Sequence, residues 1–216
     1  ALYSTPAGKN TIVIVLADHG DGMGSHRMVT KQVSFYEEMT NVPFIIAGPG
    51  IHPRQKPVED LLTQPTIDLL PTLCELAGIP VPSSKPGISL APFLKGEKQK
   101  RQHPYAASEW HSEYEVTVSP GRMIRSPRYK YTHYLEGNGE ELYDMLKDKG
   151  ERRNLAHDPK YSKILAEHRA LLDDYIRRTQ DDYRSLKVEA DKRWRSHAPG
   201  YPNHEGPCAR DIINRK

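Results

Sequence analysis

The first half of the chain sets short, fully apolar runs between polar loops. Thr11 to Ala17 (TIVIVLA) is β-branched and apolar without interruption, the pattern of a strand buried on both faces of a mostly parallel sheet. Val42 to Ala47 (VPFIIA) repeats that signal and stops at Gly48-Pro49-Gly50, a firm turn. Between them lie a Gly-rich loop and the segment KQVSFYEEM, which reads as a short helix. From Ile67 to Leu76, apolar groups at Ile67, Leu69, Leu70, Leu73, Cys74 and Leu76 predict a second helix. Thr66 or Asp68 is expected near its start and Gly78 at its stop. A parallel strand needs neighbours, and so little chain precedes Thr11 that the rest of its sheet is expected to come from sequence outside this chain.

Past a Pro- and Gly-rich stretch, Ile79 to Gly96, and a charged link, GEKQKRQH, the pattern changes to short strands. PYAASEW, RMIRS, YKYTHYL and ELYDM each fit one, and the Pro-containing connection between the second and third predicts a hairpin. Ser162 to Arg178 carries Ile164, Leu165, Leu171, Leu172, Tyr175 and Ile176 on one helical stripe, so this helix is expected to pack across the small sheet. After Thr179 the apolar content collapses. The expected fold is α/β: the carboxyl-terminal part of a mostly parallel sheet sandwiched by helices, then a small antiparallel sheet with a packed helix. The boundaries drawn are 1–100, 101–180 and an irregular tail, 181–216.

Composition narrows the function classes. The 31 Lys and Arg are nearly balanced by 28 Asp and Glu, and a net charge of +3 gives no electrostatic case for nucleic acid. Two cysteines, Cys74 and Cys208, make neither a disulfide framework nor a metal-ligand spacing. TIVIVLA, the longest apolar run, is far too short for a membrane span.

Candidate chemistry concentrates between Thr11 and Gly50. A buried strand would deliver Asp18 and His19 to its carboxyl end, where open α/β sheets bind ligands. Both are metal-ligand types, and His26 and Lys31 return from the loop that follows. On chemistry alone Asp18-His19-Gly20 fits a capped turn equally well. Trp110-His111, flanked by Glu109 and Glu113, reads either as a surface loop or as the lining of a substrate cleft. The alternation of Arg122, Arg125, Arg128 and Lys130 reads as the solvated face of the hairpin.

The order of these features resembles the sulfatase family of the alkaline phosphatase superfamily. Its members carry a strand ending in Asp-His-Gly or Asp-Asn-Gly, a Gly-rich loop with a His, a Lys, then Tyr-Glu and Val-Pro. Here these are Asp18-His19-Gly20, His26, Lys31, Tyr36-Glu37 and Val42-Pro43. IDLLPTLCELAGIPVP, GISLAPFLKGE, GRMIRSPRYKYTHYLEGNGEELYDM and NLAHDP extend the likeness over roughly residues 9 to 178 and toward the glycan and glycosaminoglycan branch.

The resemblance implies hydrolysis of a sulfate ester, with a sulfated carbohydrate as substrate and a secreted, periplasmic or lysosomal setting. Residues 1–100 would then be the carboxyl-terminal part of the catalytic domain. Asp18 and His19 would be metal ligands, normally for Ca²⁺, with the imidazole leaving Zn²⁺ as the lesser choice. Lys31 would contact the sulfate, His26 would face the substrate, and His111 would help to bind it.

One family feature is missing. Sulfatases act through a formylglycine made from a Cys or Ser in Cys/Ser-x-Pro/Ala-x-Arg, and neither Cys74-Glu75-Leu76 nor Cys208-Ala209-Arg210 fits. The nucleophile and the amino-terminal half of the catalytic domain are therefore expected outside this chain, which alone should be inactive. Two rivals stay open: a phosphoryl or phosphonate hydrolase of the same superfamily, and a non-catalytic glycan-binding remnant.

Overall fold

A computed structural model describes residues 2–28, 34–58, 61–99, 103–110, 120–135 and 139–186. In chain order its main elements are β1 (Val13–Leu16), α1 (Glu37–Thr40), β2 (Phe44–Ala47), α2 (Pro65–Ala77), α3 (Ala91–Leu94), β3 (Ala106–Trp110), β4 (Gly121–Arg125), β5 (Tyr129–Tyr134), β6 (Gly139–Asp144) and α4 (Ser162–Thr179). They fall into two units, Ala1–Gly20 with Asn41–Ala106, and Asp21–Thr40 with Ala107–Lys216.

In the first unit β1 pairs antiparallel with β2, Val13 opposite Ala47 and Leu16 opposite Phe44. Among the described residues these two runs make a two-stranded antiparallel pair, and the parallel strands expected from sequence outside this chain are not among them. Apolar content fixes that a run is a strand and leaves its direction open. Gly48 makes the close pairing possible: at φ 153°, a Cβ there would stand 2.8 Å from the Thr11 carbonyl oxygen and 2.9 Å from the Ile12 Cα. Val15 is 51% exposed and Ile45 58%, so this chain alone leaves the pair uncovered, in line with the expectation that its neighbours lie outside the chain.

Helix α2 begins with Pro65 in its first turn, where a missing N–H costs nothing. Its start is fixed by Asp68, wholly buried, whose carboxylate accepts the Gln64 and Ile88 amides, each at 2.8 Å, and lies 2.7 Å from His103 Nε2. Gly78 ends the helix in the left-handed region at φ 70°, and the Ile79 amide then reaches back to the Cys74 carbonyl at 2.9 Å. Cys74 is a buried free thiol, as expected of a small core residue.

The second unit is built on a sheet of order β3-β4-β5-β6. β4 and β5 form the expected hairpin, antiparallel with Arg125 opposite Lys130, and β5 pairs antiparallel with β6. Helix α4 packs on β4 and β5 through Leu165, His168 and Leu172, spaced three and four apart so that they share one face. Ile124 and Leu142 are fully buried, and each such side chain contributes about 1.5–3 kcal/mol. Past α4, Tyr183 is also fully buried, with its hydroxyl 2.9 Å from the His133 carbonyl.

Candidate functional site

β1 ends at Leu16, and the chain then runs through Ala17 to Asp18, His19 and Gly20. Asp18 Oδ1 accepts the His19 amide at 3.0 Å, and His19 Nδ1 lies 2.8 Å from the Gly20 carbonyl oxygen. A carbonyl only accepts, so Nδ1 carries a proton, and the neutral tautomer that keeps this bond has its lone pair on Nε2. That Nε2 is 3.7 Å from Asp18 Oδ2, and the two side chains are 43% and 89% exposed. An imidazole whose far nitrogen is tied to a backbone carbonyl is the usual form of a metal-ligating histidine. Two exposed donors this close fit adjacent positions around one cation. Among the described residues no group of three or more His, Cys, Asp or Glu side chains gathers for a metal, so this pair alone does not complete a coordination shell.

The next loop belongs to the other unit and has an unusual backbone. Met23, His26 and Arg27 take φ of 44°, 49° and 62°, a region that costs a non-glycine residue free energy. Side-chain contacts hold it. Asp21 Oδ1 accepts the Met23 amide at 3.0 Å, and the Ser25 hydroxyl donates to Glu38 at 2.5 Å. The His26 ring stacks on Tyr36 with centroids 3.7 Å apart and planes 2° from parallel, and its Nε2 is 3.8 Å from Glu38 Oε2. Burial lowers the pKa of His26, with Glu38 pulling the other way. Glu38 itself is held below the usual carboxylate range, because hydrogen bonds from Ser25 and the backbone outweigh its own burial. Lys31 and His111 lie outside the described residues.

Beneath α1 is a group of charges that the sequence pattern conceals. Lys130 is 1% exposed, and its ammonium is 2.8 Å from the Phe35 carbonyl, 2.7 Å from Glu37 and 2.8 Å from Glu151. Glu151 Oε2 in turn accepts the Glu37 amide at 2.7 Å. Arg122 is 3% exposed and binds Asp181. The reading of Arg122 and Lys130 as a solvated face is thereby corrected: both point inward because each meets a carboxylate and a backbone carbonyl there. Glu141 is buried near Glu151 and Lys130. Burial first, and Glu151 second, push its carboxyl up to about 7.

Residues 24–178 match the protein family described as N-sulphoglucosamine sulphohydrolase, C-terminal. The chain belongs to this sulfatase family. It is 77% identical over 216 residues to Delta 4,5-hexuronate-2-O-sulfatase of Bacteroides thetaiotaomicron, covering 100% of this chain and 45% of that protein. The solved structure of a 2-O GAG sulfatase matches at a TM-score of 0.87 and 77% identity, over 97% of this chain and 45% of that one. The phosphonate monoester hydrolase of Agrobacterium radiobacter matches at a TM-score of 0.68 and 25% identity, over 85% of this chain and 38% of that one. This sulfatase-family chain thus spans under half the length of the relatives it matches.

Within the sulfatase-family chain, Asp18 and His19 stand together at the end of β1, and His26 sits on Tyr36 with Glu38 nearby. The Lys130, Glu37 and Glu151 group was missed by sequence reasoning. The signal available was slight: Lys130 lies between the aromatic residues Tyr129 and Tyr131, and a charge turned inward there needs a buried partner.

Proposed function

We propose that this chain is the carboxyl-terminal part of a sulfuric ester hydrolase that removes the 2-O-sulfate from a 4,5-unsaturated hexuronate of a glycosaminoglycan. The observation that carries this reading is the 77% identity maintained over all 216 residues to the hexuronate 2-O-sulfatase. The exposed Val15, Leu16 and Ile45 support a further element, an amino-terminal half of the catalytic domain that covers them and brings the formylglycine nucleophile.

In this reading Asp18 and His19 hold a divalent cation, Ca²⁺ before Zn²⁺, and the locked His19 tautomer suits that task. The ion, when bound, supplies positive charge to the sulfuryl oxygens. Lys31 adds a point cation at the sulfate, where negative charge grows as the ester bond breaks. His26, whose pKa burial lowers, presents its imidazole to the substrate side, and His111 contributes to substrate binding.

The test uses the complete protein, with its upstream half, and an unsaturated uronyl disaccharide sulfated at O2. Sulfate release is measured by ion chromatography, beside the same disaccharide sulfated only on the hexosamine and beside a phosphonate monoester. Release from the 2-O-sulfated compound alone is expected. Preferred cleavage of the phosphonate would overturn the reading in favour of the rival hydrolase. No cleavage of any compound, with intact glycan binding, would favour the non-catalytic one.

A further inference from the structure

Segment 35–38 is held by its backbone from below and holds the His26 loop with its side chains above. The Phe35 carbonyl accepts from Lys130 at 2.8 Å, and the Glu37 amide donates to Glu151 at 2.7 Å. Those two peptide groups flank Tyr36 on either side. The Tyr36 ring is therefore fixed where His26 stacks on it at 3.7 Å, and Glu38, one residue further on, receives the Ser25 hydroxyl at 2.5 Å. Helix α1 spans only Glu37–Thr40, too short to fix its own orientation. His26, at φ 49°, has no backbone preference that would keep it in place.

Burying Lys130 and Glu151 at 1% side-chain exposure each is expensive, and stability alone does not account for it. Well-packed apolar residues usually do as well or better in such places. Glu151 also adopts a left-handed backbone, φ 47°, to send its carboxylate inward. What this group achieves and an apolar one could not is to grip two peptide groups at set positions.

We propose that Glu151 and Lys130 are positioning residues for His26, acting through Tyr36 and Glu38. The proposal rests on the reading of His26 as a substrate-side group of a sulfatase site. Neither residue touches substrate in it: each sets the place and angle of the α1 start, on which the imidazole lies.

The experiment is done in the complete protein with Glu151→Ala, Glu151→Gln, Tyr36→Leu and Lys130→Met. The first readout is independent of activity: the His26 ring proton signals in NMR, assigned with His26→Ala and displaced upfield by the stacked Tyr36 ring. They are expected to return toward ordinary positions in Glu151→Ala, and Glu151→Gln, which still accepts the Glu37 amide, is expected to restore most of the displacement. The second readout is turnover of the 2-O-sulfated disaccharide. An ångström of misplacement costs up to about a hundredfold in rate, so kcat should fall about tenfold or more in Glu151→Ala, with KM changed far less. Adding His26→Ala to Glu151→Ala should then lower kcat little further.

A folded Glu151→Ala protein with unmoved His26 signals and normal kcat would overturn the proposal. If Glu151→Ala fails to fold, Lys130→Met decides it by the same signals, with Tyr36→Leu as the reference for a His26 ring that has lost its stack. An enzyme inactive on sulfate esters, but with His26 signals that move as described, would sink the proposed function and leave the coupling of Glu151 to His26 standing.

Discussion

Arg122 grips Asp181 with two parallel bonds, Nε to Oδ2 at 2.6 Å and Nη2 to Oδ1 at 2.9 Å, across 59 positions of sequence. The guanidinium also lies 4.4 Å from the Tyr183 ring centroid, so the segment after α4 is tied to β4 by charge as well as by packing. Removing one partner of such a buried pair strands the other. Asp181→Ala should cost about 3–5 kcal/mol, whereas replacing both residues by apolar ones of similar volume should be nearly neutral. Urea denaturation of the two variants beside the unchanged protein measures this. A single variant within about 0.5 kcal/mol, the usual range for a surface substitution, would show that the pair is not buried as described.

Much of the fold is legible in the sequence where the determinant is local. The hairpin of β4 and β5 follows from two short strand-like runs around Ser126-Pro127, and the end of α2 follows from Gly78. What was not legible depends on partners far away in sequence. The direction of β2 against β1, the inward turn of Lys130 toward Phe35 and of Arg122 toward Asp181 are each settled by residues that no local pattern contains. The same holds for the candidate site. Asp18 and His19 can be read as ligand types after a strand, but the stacking of His26 on Tyr36 is set by the α1 start and the charges under it.

If Asp18 and His19 hold the metal, the complete protein should lose it when they change. Asp18→Asn keeps one oxygen donor and removes the charge a hard cation prefers. Its metal content after dialysis, measured by mass spectrometry, should fall well below one ion per chain. Chelation of the unchanged protein should lower its Tm, since a ligand that binds only the folded state stabilises it. An Asp18→Asn protein that retains stoichiometric metal would move the metal site elsewhere.

Lys31→Ala separates a substrate contact from a surface lysine. A cation set against developing negative charge is worth about 2.7–4 kcal/mol, or roughly a hundredfold or more in kcat. A lysine without that role should change stability by no more than about 0.5 kcal/mol and leave turnover nearly intact. Normal kcat/KM on the 2-O-sulfated disaccharide, in a variant with normal Tm, would remove Lys31 from the site.

Glu141 gives a pH dependence whose sign is fixed by its surroundings. Burial and the nearby Glu151 outweigh the attraction of Lys130 and push its carboxyl from 4.5 up to about 7, with Tyr36 and Tyr143 also close by. Glu151 is displaced upward too, again by burial first. Between pH 4.5 and 7 the folded chain therefore keeps a proton on Glu141 that the unfolded chain has released. Stability contributed by this group must fall as pH rises through that window and level off above it. Glu38, Glu140 and Asp144 are displaced downward, so their contributions are lost only on acidification below the ordinary carboxylate range. His26 and His168 are held low by burial and work in the opposite direction to Glu141 below their ordinary value of 6.5. A comparison of one variant with the unchanged protein cancels these shared terms. Glu141→Gln mimics the protonated acid, so it should match the unchanged chain near pH 5 and exceed it by about 1–3 kcal/mol near pH 8, since each pKa unit corresponds to about 1.4 kcal/mol. Denaturation at the two pH values decides it, and a difference that is the same at both would mean that Glu141 does not hold its proton in the folded state.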